Sequence, residues 1–256
     1  MSPSLELLIK LKHQIPSLFT ILNLFSGFLS IIYCQQGNLN FASGFIFLAS
    51  FFDSLDGKIA RFTDSESAFG KEIDSLADMV SFCLAPSILV FYFVNSSVDN
   101  NIIISALLSS SPLIMGGIRL AKFNILPSED SESKFFIGLP SPVNALFICA
   151  LILFYQNNLL EKNNLITINL LIVFVSSLML SKIIYPKFPK ISSKFGKENS
   201  LRVFFLFLFL FLILGSKGLE LSTNQHYYSK EILVVSILMY ICTGIINNIK
   251  KNKYES

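Results

Sequence analysis

Eight stretches of this 256-residue chain are apolar over lengths that suit a lipid bilayer, and nothing else in the sequence limits the fold so tightly. They run approximately over residues 17–34, 41–62, 70–95, 102–123, 141–156, 165–184, 201–216 and 231–249, the fifth and seventh being short. Charged residues make up 14% of the chain, against about 25% in soluble domains, and mean hydropathy is +0.61. The expected fold is an all-α membrane protein of about eight transmembrane helices, a single polytopic domain over residues 1–256. No repeat, long linker or second domain is visible.

Basic residues give the orientation. With eight spans, both termini and the even-numbered connections share one side. Of the 20 Lys and Arg, all but Lys162, Lys217 and Lys230 lie on that side or at span ends facing it. This positive-inside asymmetry predicts a multi-pass protein of the plasma (inner) membrane with both termini cytosolic. The net charge of +3 therefore serves orientation and attraction to anionic membrane lipids, and implies no nucleic acid. Ahead of the first span, residues 4–15 place Leu5, Leu8, Leu11 and Ile15 on one stripe with Lys10 and Lys12 off it. That pattern predicts an amphipathic helix in the cytosolic interface, with Pro16 turning the chain into the bilayer. No small-residue cleavage site follows, so it is not read as a removable signal.

Against this apolar background, Asp53, Asp56, Asp74 and Asp78 fall within 26 residues. Spacings of three and four put each pair on one helical face, so two helices within 41–95 can direct four carboxylates at one another. Each Asp in mid-membrane costs about 2.5 to 3.5 kcal/mol on insertion scales, so the quartet must take up protons or hold cations. Oxygen-only ligands favour Mg²⁺, Mn²⁺ or Ca²⁺. Small residues between them, Gly57, Ala60, Gly70, Ser75 and Ala77, leave room for a bulky ligand, and Lys58 and Arg61 stand ready for phosphate oxygens.

Elsewhere the chemistry is sparser. Thr20 and Asn23 in the first span read from composition as helix-to-helix hydrogen bonds. Arg119 and Lys122 share a face at a span end, where they either reach up to headgroups or form an anion pocket. The segment Gly138-Leu139-Pro140-Ser141-Pro142 reads as a rigid turn, and residues 186–202 as a basic loop against headgroups. Cys34, Cys83, Cys149 and Cys242 lack metal-ligand spacing and read as packing residues; His13 and His226 are isolated.

The spacing Asp53-x2-Asp56-Gly57-x2-Ala60-Arg61-x8-Gly70-x3-Asp74-x3-Asp78 resembles, position for position, the signature of the CDP-alcohol phosphatidyltransferases. Within that family RLAKFN, FIGLPSP and LMLSKIIYPKF resemble stretches of the CDP-diacylglycerol:serine enzymes, over most of residues 16–190. Lys122 departs from the usual Arg, and Lys182 and Ile184 from the usual Asn and Arg. The resemblance implies metal-dependent transfer of a phosphatidyl group from CDP-diacylglycerol to L-serine, with two divalent ions on Asp53, Asp56, Asp74 and Asp78. It also implies Asp78 as base, Thr20, Asn23, Gly57, Ala60, Arg61, Ser67 and Gly70 around the CDP-lipid, and a homodimer. Arg119, Lys122 and Lys182 are candidates for the acceptor or a lipid phosphate. Glycerol 3-phosphate or inositol as acceptor is the nearest alternative. An ion-coupled transporter is the alternative of another class, since acids in membrane helices often mark ion paths.

Overall fold

The structure, a computed structural model, describes residues 3–63, 68–95, 102–125, 135–155, 162–186 and 229–255. The expected seventh span at 201–216, the basic segment from 187 onward, Ser67 and His226 lie outside them. Helices dominate: α1 Pro3–Gln35, α2 Leu39–Thr63, α3 Ala68–Asp78, α4 Ala85–Asn95, α5 Ile102–Ser109, α6 Ser111–Ile125, α7 Ser141–Tyr155, α8 Lys162–Ser177 and α9 Ser229–Glu255. Among the described residues, Leu18–Gln35, Phe69–Asn95 and Ile102–Ile125 are long and apolar enough to cross a membrane, and Ser141–Tyr155, Thr167–Leu180 and Leu233–Ile246 are shorter apolar helices. The chain is an all-α membrane protein.

The first helix corrects one expectation. Residues 4–15 are helical, but they continue without a break through Pro16 into the span, as one helix of 33 residues. Proline there removes one ladder hydrogen bond without ending the helix. The helix ends instead at Gly37, whose φ of 74° is the left-handed conformation that glycine adopts without cost. The Gly37 N–H donates to the Cys34 carbonyl and the Asn38 N–H to the Tyr33 carbonyl, both at 2.9 Å, which is the paired bond pattern of a Schellman stop. After so short a turn α2 folds back along α1, and Tyr33 stacks on Phe41 and Phe45 with ring centroids 5.4 and 5.2 Å away.

A second departure lies inside the span Phe69–Asn95. Between α3 and α4, Met79–Leu84 is π-helical, a wide turn that begins directly after Asp78. Glycines make the space for it. A Cβ on Gly27 of α1 would lie 2.8 Å from the Ser81 Cα, and one on Gly116 of α6 would meet the Cys83 side chain. The first helix therefore approaches the wide turn backbone to backbone, and α6 approaches it closely enough to meet the Cys83 side chain.

The chain divides into two compact units. In the first, residues 1–128 and 139–181, α7 is the interior helix: Ala145, Phe147, Ile148, Cys149, Ala150, Leu151 and Ile152 are all buried, as a helix apolar on every face requires. Leu18, Ile21, Phe25 and Phe28 on α1 stay exposed, a surface suited to lipid tails. The second unit, residues 129–138 and 182–256, holds a two-stranded antiparallel ribbon that helical periodicity does not anticipate. Its strands, β1 Phe135–Ile137 and β2 Ile184–Pro186, pair Phe136 with Tyr185. The sixth span thus gives way to a 3₁₀ turn at Leu178–Leu180 and then to extended chain. Tyr185 stacks on Tyr240 of α9 at 5.9 Å, over Gly244.

Candidate active site

Asp53 and Asp56 stand one turn apart on α2, and Asp74 and Asp78 one turn apart on α3. Helix packing brings Asp53, Asp74 and Asp78 together, with one carboxylate oxygen from each within 4.8 Å of the others. At that separation two negative charges repel by roughly 3 kcal/mol even at an effective dielectric constant near 20, so three ionised carboxylates need a counter-charge. The Oδ1 of Asp78 is buried and has no hydrogen-bond partner among the described residues. Crowded carboxylates, oxygen-only donors and an unused buried oxygen fit a hard divalent cation.

Asp56 turns aside from this triad. It is buried and accepts a hydrogen bond from the Thr20 hydroxyl of α1, while staying within electrostatic reach of Asp53 and Asp74. Asn23, one turn beyond Thr20, is fully buried, and its side chain interacts with Asp78. Its main-chain carbonyl accepts from the Ser81 hydroxyl at 2.9 Å, which ties α1 to the π-helical turn. Thr20 and Asn23 therefore line the aspartate cluster itself.

Arg119 of α6 supplies the positive charge, within electrostatic reach of Asp78 and Cys83. Its Nη1 donates to the Ser141 hydroxyl at 3.3 Å. Lys122 is exposed nearly a turn further along α6, and beyond it Asn124 is bonded to Ser75 of α3, the hydroxyl donating to the amide oxygen at 3.1 Å. Gly57, Ala60 and Arg61 lie on the last turns of α2, and Gly70 in the first turn of α3. Lys182 is exposed and belongs to the second unit.

Two site neighbours, Ser81 and Ser141, escape notice in the sequence. Ser81 follows Asp78 by three positions, a spacing that on an ordinary helix carries a signal, whereas Ser141 is visible only as part of the turn Gly138–Pro142. That turn is rigid for a reason: the Leu139 N–H donates to the Leu178 carbonyl at 3.0 Å and the Asn144 N–H to the Pro140 carbonyl at 3.1 Å. Cys34, Cys83 and Cys149 are buried free thiols and Cys242 is an exposed one.

Membrane helices that bring paired aspartates together define a class, and comparison with known proteins agrees. The family model for CDP-alcohol phosphatidyltransferase matches residues 13–183. The chain belongs to the CDP-alcohol phosphatidyltransferase family. It is 34% identical over 243 residues to a CDP-diacylglycerol--serine O-phosphatidyltransferase of Helicobacter pylori, covering 94% of this chain and 97% of that one. A protein of the same description from Bacillus subtilis is 36% identical over 178 residues, 70% of this chain and 93% of its own. An archaetidylserine synthase of Methanothermobacter thermautotrophicus is 38% identical over 178 residues, 68% and 70% of the two chains.

Proposed function

We propose that this protein transfers the phosphatidyl group of CDP-diacylglycerol to the hydroxyl of L-serine, giving phosphatidylserine and CMP. The observation that carries the reading is the meeting of Asp53, Asp74 and Asp78 within 4.8 Å, in the order and spacing of the family signature. Serine is favoured over glycerol 3-phosphate and inositol because it is the acceptor in the names of relatives that span nearly the whole chain or two thirds of it. Family membership also removes the ground for a transporter.

Asp53, Asp74 and Asp78, with Asp56 beside them, would hold two divalent ions of the Mg²⁺, Mn²⁺ or Ca²⁺ class. When bound, these neutralise the pyrophosphate and ease the departure of CMP. Asp78 takes the proton of the serine hydroxyl as its oxygen bonds to phosphorus and the bond to CMP breaks. The carboxylate and hydroxyl of serine are only a few bonds apart, so the cation that holds the carboxylate must stand close to the base. Arg119 meets that condition through its electrostatic contact with Asp78. Lys122 and Lys182 are left to the lipid phosphate. Thr20, Asn23, Gly57, Ala60, Arg61, Ser67 and Gly70 form the CDP side, with Thr20 holding Asp56 in place. The protein functions with eight spans and both termini cytosolic, as a homodimer in the plasma (inner) membrane.

The test is CMP release by purified protein from CDP-diacylglycerol with serine, glycerol 3-phosphate or inositol, each with and without Mn²⁺ or Mg²⁺. Turnover with serine that depends on the ion is expected. Release with another acceptor and none with serine overturns the acceptor, and no release with any of them overturns the reaction.

A further inference from the structure

We infer that Ser81 is a positioning residue for the metal site: by donating its hydroxyl to the main chain of α1, it fixes where the π-helical turn, and with it Asp78, stands against the aspartates of α2. The inference rests on the proposed divalent ions and adds to them a residue that touches neither ion nor substrate.

A hydroxyl on a membrane helix has an undemanding partner close by, the carbonyl three or four places back along its own helix. Ser26, Ser177 and Ser236 take it, donating to the carbonyls of Leu22, Phe174 and Leu233 at 2.7, 2.6 and 2.8 Å. Ser81 does not. Its hydroxyl crosses to the Asn23 carbonyl of α1 at 2.9 Å, over 58 positions of sequence, and both residues are fully buried. Gly27 opens the way: it stands four places after Asn23, and a Cβ there would collide with the Ser81 Oγ. The Asn23 carbonyl has its own helical donor already, so the bond is not needed to satisfy α1, and what it adds is direction. The same stretch of α1 is bonded to the other half of the site, because the Thr20 hydroxyl donates to Asp56 of α2. One turn of α1 thus holds α2 at Thr20 and the π-helical turn at Asn23. Asp78 comes directly before that turn, and its carboxylate has to meet that of Asp53 on α2 within 4.8 Å. Ligands drawn from two helices keep their spacing only if something fixes one helix against the other, and here a third helix does so.

The test is Mn²⁺ binding to purified protein stripped with a chelator, read from the electron paramagnetic resonance signal of the free ion. Ser81→Ala removes one oxygen and leaves the Asn23 carbonyl with its helical donor, so the variant should fold. Its affinity for Mn²⁺ should fall about tenfold, the low end of the range for groups that orient metal ligands. Ser26→Ala is the control, since it removes a buried hydroxyl that is bonded within α1 itself, and it should shift the affinity by less than about twofold. Unchanged Mn²⁺ affinity in Ser81→Ala overturns the inference, even where the ion-free variant unfolds at a lower temperature, because a plain packing tie would lower stability alone. An equal fall in both variants overturns it too, because any lost hydroxyl would then do the same. Wild-type protein that binds no Mn²⁺ overturns the proposed ions, and the inference falls with them, so titration of the wild type tells the two failures apart.

Discussion

Asp78 carries three demands at once: it shares a cluster with Asp53 and Asp74, keeps one buried oxygen without a hydrogen bond among the described residues, and lies within electrostatic reach of Arg119. Replacing it with Asn keeps the shape and removes both the charge and the base. Transfer to serine should fall by about 10²- to 10⁴-fold, the usual range for a general base, while equilibrium binding of CDP-diacylglycerol persists. Undiminished turnover would take Asp78 out of the mechanism. Thr20 supports a neighbour rather than the chemistry, so Thr20→Val should be milder. Losing a hydrogen bond to a charged group costs about 1.5 to 3 kcal/mol, roughly ten- to a hundredfold in kcat/KM. The four aspartates were legible in the sequence because their grouping is local: helical spacing alone puts each pair on one face. The tilt of Asp56 toward Thr20 and the bond from Arg119 to Ser141 were not, because they span 36 and 22 positions and depend on how whole helices dock.

Among the elements, the π-helical turn Met79–Leu84 sets the quality of the site, since it follows Asp78 directly and is gripped by α1 and α6. The grip on the α1 side is backbone against backbone. Gly27→Ala would place a methyl group 2.8 Å from the Ser81 Cα, where nothing can rotate away, so a loss of about 1 to 3 kcal/mol is expected. Thermal unfolding in detergent measures it. At Gly116 the obstacle is the Cys83 side chain, which can turn, so Gly116→Ala should cost less, and equal costs would argue against this account. The span Phe69–Asn95 could be read from its hydropathy, but its wide turn could not, because glycines on two other helices create the room. The break expected at Pro16 failed for a related reason. A single proline is a strong local signal, and the helical turns on both sides of it outweighed the signal.

At the scale of the whole molecule, the proposed ions on the aspartate cluster should couple metal content to stability. Three carboxylates within 4.8 Å repel one another, and any group that binds the folded state and relieves the repulsion stabilises it. Stripping divalent ions with a chelator should abolish CMP release and lower the unfolding temperature in detergent, and both should recover on adding Mn²⁺ or Mg²⁺. Recovery of stability without activity would separate a structural ion from a functional one. The arrangement in the membrane makes its own prediction: a tag at either terminus should be cut by protease only from the cytosolic face of sealed vesicles. Hydropathy made the helical, membrane-spanning character readable, because it reflects the partition between oil and water. The strand pairing of Phe136 with Tyr185 left no such trace, since short extended segments carry no helical period.

The wide turn also constrains how such a chain can diverge. A helix rotates by about 100° per residue, so adding or losing one position between Asp78 and Asn95 would spin every later side chain of that span to a new bearing. Point replacements can be absorbed there one at a time. A change in the residue count directly after Asp78 would carry Phe82, Cys83 and the face that meets α7 away from their partners together, so the start of the interval should behave as a fixed ruler in any functional variant.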